Sequence, residues 1–271
     1  MDFVDKALAR RLESAEEVPQ VHHARILQKT RSEVGAAAEA FGGGHMVFAG
    51  LGSPVGRAVG MGLDRPMTAE DLDRIEAFYR AHHAPAQVDV CPLHDPALFE
   101  VMKQRGYAIA ELNNVLWRRL LRNENFPAGP AEIEFRRARD DEGDAIADIL
   151  ALSFHEKVPV PEGFREMLAP MFQFPGGVRF VAHAEGKMVG VGAGLIIPEH
   201  KVFALFGAGT LPEFRGRGIQ TTLLGLRMRT AAEAGCELAV IVTQGGTISQ
   251  RNAERLGFRV AYSKATLVRN L

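Results

Sequence analysis

The sequence has only two cysteines, no long apolar run and almost no net charge. The cysteines, Cys91 and Cys236, are too few for a disulfide framework or a typical zinc site. No segment approaches the roughly 18 consecutive apolar residues that a membrane span requires, and the first residues are charged rather than apolar. A formal net charge of -1 gives no overall attraction to nucleic acid or to anionic membranes. These absences predict a cytoplasmic protein that binds neither nucleic acid nor membranes.

One small group of metal-ligand types stands close together in the sequence. Cys91, His94 and Asp95 could each bind a metal, but they lack a fourth partner at a useful spacing. Asp95 has a simpler role as the cap of the helix that follows it. We therefore predict no metal site.

An apolar strand, a basic glycine-containing loop and a helix follow one another between residues 202 and 234. Residues 202–211 (VFALFGAGTL) contain no ionisable side chain, which is typical of a strand buried on both faces. The loop contains Arg215, Gly216, Arg217 and Gly218. Its glycines permit a tight turn that gathers amide N–H groups at the positive end of the helix dipole, and its arginines add charge. The sequence therefore predicts a phosphate-binding corner.

The helix after the loop has an amphipathic pattern. Ile219 and Leu223 recur at helical spacing and predict its buried face, whereas Gln220 and Arg227 are predicted on the solvent face. The loop is not a P-loop, because no Gly-Lys-Ser/Thr follows, and no stretch after a strand fits the dinucleotide pattern Gly-x-Gly-x-x-Gly. A structural turn with surface arginines stays open as an alternative.

Turn signals divide the rest of the chain. Residues 1 to about 41 are predicted to be helical with a break at Val18-Pro19, and residues 45–51 and 55–63 to be strands. Residues 123–130 are polar and proline-containing, and we predict a linker there. Residues 131–271 read as strand, two helices, three antiparallel strands, helix, strand, helix and strand. The predicted fold class is α/β (α+β), with mixed sheets and flanking helices.

Residues 104–120 and 255–271 share a pattern when they are aligned without gaps. Gly106 aligns with Gly257, and both segments read as a helix end, a Gly turn and a strand. Any helix-to-strand junction can look like this, so chance stays open as the alternative. Because the preceding order of elements also recurs, we predict that residues 1–122 are a degenerate copy of the second half.

Two motifs in the second half resemble GNAT-type N-acetyltransferases, which use acetyl-CoA. Arg215 and Gly218 fill the first two places of the family's Arg-x-x-Gly-x-Gly/Ala pattern, and Gln220 stands where the family has Gly or Ala. Residues 249–252 (SQRN), followed by Leu-Gly-Phe at 256–258, resemble the downstream segment of the family. The resemblance implies a tandem GNAT-like protein: a degenerate N-terminal domain (1–122), a linker (123–130) and an acetyltransferase domain (131–271).

The resemblance also implies where acetyl-CoA binds. One molecule per chain is expected, because the first half has only Asp64-Arg65-Pro66-Met67 at the corresponding place. The pantetheine arm would contact the end of the central strand and one downstream asparagine, and the pyrophosphate would bind at the loop. These cofactor-binding residues are Ala208, Gly209, Thr210, Arg215, Gly216, Arg217, Gly218, Ile219, Gln220, Thr221 and Asn252.

The catalytic residues cannot be carried over from the resemblance. Many relatives have a tyrosine where this chain has Ala253, and the central strand lacks an acidic residue. Ser249 could assist the departing thiolate, and His155 or Glu156 could accept the proton of the amine. Helix capping for Ser249 and a solvated loop for the other two are the simpler alternatives.

Three functions remain as hypotheses. The preferred one is an acyl-CoA-dependent N-acyltransferase that moves acetyl to a primary amine by direct attack. The acceptor could be a small amine, an amino acid, an antibiotic or a protein N-terminus, and the chain could be a monomer or a homodimer. The second is an acyl-CoA-binding regulatory module without turnover. The third is a structural or nucleotide-binding α/β protein with no affinity for CoA.

Overall fold

The computed structural model describes residues 3–155, 159–160 and 162–271, which divide into two compact units. The first unit contains the residues up to Leu116, Val242–Thr247 and Val260–Leu271. The second contains Trp117–Ile241 and Ile248–Arg259. Both combine a β-sheet with helices, which confirms the predicted α/β class. Within the described ranges, no helix has the length and apolar character needed to cross a membrane.

The elements up to the middle of the chain alternate between helices and short strands. They are α1 (Lys6–Thr30), β1 (Ala37–Phe41), β2 (Gly44–Phe48), β3 (Ala58–Val59), α2 (Ala69–Ala81), β4 (Ala86–Val90), α3 (Ala97–Gln104) and β5 (Ala108–Arg119).

The elements of the second half follow the predicted order. They are β6 (Glu134–Arg137), α4 (Gly143–Phe154), α5 (Phe164–Leu168), β7 (Gly177–Ala184), β8 (Lys187–Ile197), β9 (Val202–Thr210), α6 (Ile219–Glu233), β10 (Leu238–Gln244), α7 (Ile248–Arg255) and β11 (Arg259–Arg269). Short 3-10 turns at Ala169–Gln173 and Pro212–Phe214 precede β7 and α6. No regular element lies in the predicted linker, residues 123–130.

In the second unit, the strands lie in the order β10-β9-β8-β7-β6. All neighbours are antiparallel except β9 and β10, which are parallel. Helices α4 and α6 cover opposite faces: a side chain added at Gly209 would meet Ser153 of α4, and one added at Gly192 would meet Arg227 of α6. The apolar run of β9 therefore has a helix above and below it, which explains the absence of charge in its sequence.

In the first unit, three sequence predictions are wrong. Helix α1 does not break at Val18-Pro19 but runs through Pro19. A proline inside a helix loses one backbone hydrogen bond, but α1 buries a long apolar side that includes Leu12 and Leu27, and this packing outweighs the loss. The predicted helix also does not reach residue 41, because Ala37–Phe41 forms a hairpin with β2. Of the predicted strand 55–63, only Ala58–Val59 is a strand.

The aligned repeat corresponds to equivalent secondary structure. Gly106 and Gly257 are 151 residues apart. When 151 is added to the residue numbers of α3 and β5, the two elements coincide with α7 and β11. Both glycines are left-handed, with φ of 78° and 81°. The N–H of Tyr107 donates to Met102 O and the N–H of Phe258 to Ala253 O, which is the same turn in both places. The shift also places α2 on α6, so the similarity extends beyond the aligned segments.

The last strand of the chain belongs to the first unit. Strand β11 pairs antiparallel with β4, with Ala265 opposite Val90 and Arg269 opposite Ala86. Most of the strand, from residue 260 onward, therefore lies in the first unit although it follows the second in sequence. The compact units thus differ at this strand from the predicted segments 1–122 and 131–271, and that division of the sequence stays a prediction about its two copies.

A buried charged network joins α1, β4 and β11 in the first unit. Lys264 is 3% exposed. Its Nζ lies 3.1 Å from Glu13 and 3.7 Å from Asp89, and it also contacts Glu16. Burial alone would lower the pKa of Lys264, but these carboxylates outweigh it and raise that pKa well above its ordinary value. Burial also raises the pKa of Glu16. The hydroxyl of Tyr262 donates to Glu13 at 2.6 Å.

Candidate active site

The central strand β9 loses its parallel partner halfway along. Its pairing with β10 covers Val202 to Leu205, opposite Leu238 to Ile241. Residues 206–210 therefore have no strand partner on that side among the described residues of the second unit. This part of β9 includes Ala208, Gly209 and Thr210, the residues predicted to contact the pantetheine arm. Their backbone groups on the open side can pair with an extended ligand, as a missing strand would.

The same part of β9 contains a β-bulge. Val191 of β8 pairs with Gly209, but Ala193 pairs with Phe206. Two residues of β9, Gly207 and Ala208, therefore lie opposite Gly192 alone, which is the two-against-one arrangement of a bulge. Gly207 has a φ of +52°, a conformation that favours glycine. We call Gly207 and Ala208 the β9 bulge.

The loop after β9 leaves a continuous run of amide groups unpaired. Among the described residues, the six N–H groups from Gly216 to Thr221 donate to no hydrogen-bond acceptor, and Thr222 N–H makes the first α6 bond, to Gly218 O at 3.0 Å. Helix α6 begins after a left-handed Gly218 and has no side-chain cap and no acidic residue in its first turn. Unpaired amides at the positive end of a helix form an anion-binding site.

The two arginines of the loop have different environments. Arg215 donates from Nε to Thr210 O at 3.2 Å and from Nη2 to Ser153 O at 2.9 Å, so its guanidinium ties the loop to the end of β9 and to the end of α4. Arg217 is exposed and lies over Phe214, with 5.0 Å from Cζ to the ring centroid. Of the two guanidinium groups, that of Arg217 is the more available to a ligand at the loop.

Two residues that were predicted on the solvent face of α6 point into the unit instead. Gln220 is half-buried, and its Nε2 lies 3.1 Å from Val191 O, 2.7 Å from Gly209 O and 2.9 Å from Thr210 Oγ1. Arg227 is 3% exposed. The prediction put these side chains on the solvent face because they are polar. The signal that could have placed Arg227 correctly is the set of glycines in β8, because a position without a side chain leaves room for a guanidinium against the sheet.

The corresponding helix start in the first unit is closed to anions. The 151-residue shift places Asp64 at the position of Arg215, and α2 begins with a capping box. The carboxylate of Asp71 accepts the N–H of Thr68 at 2.9 Å and binds the guanidinium of Arg65. A carboxylate thus already occupies the positive end of α2, whereas the start of α6 is open.

The catalytic candidates lie at two places in the second unit. His155 caps the end of α4, two residues from the Ser153 carbonyl that holds Arg215; its ring contacts Phe164, and its buried Nδ1 has no hydrogen-bond partner among the described residues. Ser249 is exposed at the start of α7. Glu156 lies outside the described residues.

Helix α7 carries two further positions named by the family resemblance. Ala253, where many relatives have a tyrosine, is fully buried, and Asn252 is half-buried. No three His, Cys, Asp or Glu side chains in the part of the chain that the structure describes come together as metal ligands.

Comparison with known families decides the class of this site. Residues 144–258, from the start of α4 to the turn before β11, match the sequence model of the Acetyltransferase (GNAT) family. This segment is therefore similar in sequence to the GNAT acetyltransferases. The match contains the open strand, the β9 bulge, the basic loop and α7. A comparison with curated proteins found no match.

Solved structures share the fold of this chain over both of its halves. A GCN5-related N-acetyltransferase from Kribbella flavida is 19% identical, with a TM-score of 0.64 over 91% of this chain and 95% of its own. A tandem GNAT protein from the clavulanic acid biosynthesis pathway is 14% identical, with a TM-score of 0.59 over 86% and 78%. A putative GNAT acetyltransferase from Novosphingobium aromaticivorans is 16% identical, with a TM-score of 0.51 over 92% and 97%. At these identities the likeness shows the fold alone.

Proposed function

We propose that this protein is an acyl-CoA-dependent N-acyltransferase that transfers acetyl from acetyl-CoA to a primary amine. The observation that carries the proposal is the run of unpaired amides from Gly216 to Thr221, at the uncapped start of α6 and directly after the half of β9 that has left its partner β10. A pyrophosphate needs several donors that converge on one point, and a pantetheine arm needs an open strand edge. Both occur in the segment that matches the acetyltransferase family.

The reaction is a direct attack of the amine on the thioester carbonyl. The C–N bond forms, the C–S bond breaks, the amine loses a proton and the CoA thiolate gains one. The protein must hold the two reactants together, donate hydrogen bonds to the oxyanion and accept the proton. We assign the first task to the loop and the β9 backbone. For the proton we favour His155, because Arg215 joins its helix end to the loop.

A comparison of two variants tests this assignment. We expect His155→Gln to lower kcat about 100-fold, as is typical for loss of a general base, with little change in the affinity for acetyl-CoA. Ser249→Ala is the comparison variant. Both are measured as release of the CoA thiol at several pH values. If Ser249→Ala lowers kcat and His155→Gln does not, the proton acceptor is not His155; if neither changes kcat, both assignments are wrong.

The transferase activity itself is tested with a panel of amines. We expect release of free CoA thiol with at least one class among small amines, amino acids, aminoglycoside-like antibiotics and peptide N-termini. Tight binding of acetyl-CoA with no release above hydrolysis for any acceptor would favour a regulatory module that binds acyl-CoA without turnover. The buried Ala253 motivates that second function, because it stands where many relatives have the phenol of a tyrosine.

The stoichiometry of binding tests the proposed arrangement of two copies. We propose that residues 1–122 are a degenerate copy that has lost its cofactor site, since Asp71 already caps the start of α2. Titration calorimetry should then give one acetyl-CoA per chain, and the Asp64→Ala variant should bind with unchanged affinity. Two molecules per chain would contradict the loss of the first site.

A further inference from the structure

The start of α6 reaches the β9 bulge through two side chains on one face of the helix. Gln220 and Arg227 are seven residues apart, which is close to two helical turns, so both point to the same side. Gln220 Nε2 donates to the carbonyls of Val191 and Gly209. Arg227 Nη1 donates to Ala193 O at 2.7 Å. These carbonyls belong to the two strand pairs that border the bulge.

Arg227 is an unusual residue for this position. It is 3% exposed, and no neighbouring carboxylate among the described residues raises its pKa. Its guanidinium donates to the carbonyls of Ala193 and, at 3.0 Å, Leu223. Burial lowers the pKa of Arg227 to about 9. Burying a cation without a counterion is unfavourable to folding, so a stability role alone does not account for it.

The sheet has been adapted to hold this guanidinium. An ideal Cβ on Gly192 would lie 2.6 Å from Arg227 Cζ, so no residue with a side chain fits there without displacing the arginine. Gly192 is also the one residue of β8 opposite the β9 bulge. Three features therefore occur together in the second unit: the missing side chain at Gly192, the buried cation of Arg227 and the extra residue of the β9 bulge.

We propose that Gln220 and Arg227 are positioning residues of the transferase, which clamp the β8–β9 carbonyls on both sides of the β9 bulge and so fix the backbone that faces the acyl donor. The inference rests on the proposed function. It gives a role to Gln220, which stands where the family pattern has Gly or Ala: its backbone belongs to the anion site and its side chain holds the bulge.

The clamp is tested with substitutions at Arg227 and Gln220 and a control on the same helix. The variants are Arg227→Met, Arg227→Lys, Gln220→Ala and the exposed Arg229→Met as control. Hydrogen exchange of peptides spanning residues 203–211 is measured in the free protein, together with kcat, the KM for acetyl-CoA and the urea midpoint. Exchange reports directly on the bulge, and the kinetic constants report on its consequence.

We expect Arg227→Met to speed exchange at the bulge and to lower kcat between about 10-fold and 100-fold, as misplacement of a reacting group does. The KM for acetyl-CoA should change less than about threefold, because the loop amides are untouched. The urea midpoint should not fall, since a buried unpaired cation has been replaced by an apolar side chain. Arg227→Lys should retain more activity than Arg227→Met, Gln220→Ala should speed exchange as well, and Arg229→Met should behave as the wild type.

Two results would overturn the inference. One is unchanged exchange at residues 203–211 in both Arg227→Met and Gln220→Ala. The other is a loss of kcat that follows a loss of stability, with Arg227→Lys no better than Arg227→Met, which would make the role merely structural. If the wild type releases no CoA thiol with any amine, the proposed function fails, but the exchange measurement still decides whether the bulge is clamped.

Discussion

The Arg217→Glu variant is expected to bind acetyl-CoA on the order of 30-fold more weakly than the wild type, with an unchanged urea midpoint. Arg217 is exposed, and its guanidinium contacts the Phe214 ring and, at 3.3 Å, Glu213 O. The substitution therefore removes little packing. It replaces a donor beside the open start of α6 with a carboxylate, which competes for the same amides and repels a pyrophosphate. Titration calorimetry measures the affinity.

The control for this prediction is Arg229→Glu in α6, the helix that follows the loop. Arg229 is also exposed, so the change in net charge is the same, but it lies three turns further along α6. The dipole effect falls off within the first turn, and we expect its affinity to stay within about twofold of the wild type. Equal weakening by both variants would show a general charge effect. Unchanged affinity in Arg217→Glu would remove the basis for assigning the loop to the cofactor.

The Lys264→Met variant is expected to lower the free energy of unfolding by about 3 to 5 kcal/mol at neutral pH, as is usual when one partner of a buried charged group is removed. Lys264 is the cation on which the carboxylates of Glu13, Glu16 and Asp89 converge. Without it, Glu13 and Asp89, both about 2% exposed, would keep buried negative charge with less compensation. Urea unfolding measures the change, and the exposed Lys187→Met is the control.

The decrease in the free energy of unfolding caused by Lys264→Met should be smaller at pH 5 than at pH 8. Burial already raises the pKa of Glu16 in the wild type, and removal of Lys264 takes away the attraction that lowers this pKa, so the pKa of Glu16 rises further. A carboxyl group whose folded-state pKa lies above its unfolded value contributes stability at low pH, and that contribution is lost as the pH rises through the folded pKa. A loss that is the same at both pH values would show that packing, rather than charge, explains the effect.

Much of the second unit could be predicted from the sequence because its signals are local. The hairpin of β7 and β8, the apolar β9, the glycine-containing loop and the turn at Gly257 each depend on a few neighbouring residues. Backbone conformation at such positions follows from residue type: only glycine enters the left-handed region at little cost. The same local signals identified the repeat of Gly106 and Gly257.

The first unit was less predictable because long-range packing outweighs local preference there. The helix through Pro19 is held by the apolar side that α1 buries, and residues 37–41 are a strand because Gly42 and Gly43 have positive φ and close a hairpin onto β2. Neither the helix through Pro19 nor the strand at residues 37–41 can be predicted locally, because each depends on packing against another part of the chain. Residues 45–51 and 55–63 likewise were predicted as longer strands than the sheet accepts.

The sequence by itself determined the local form of the loop, since two glycines and the start of a helix within a few residues give a tight turn whose first amides have no partner inside the helix. Only the tertiary structure decided where polar side chains such as Gln220, Arg227 and Lys264 lie. Sequence pattern assigns charge to solvent by default, whereas a fold can bury it wherever carbonyls or carboxylates converge. Those partners come from distant parts of the chain, so they exist only once it has folded.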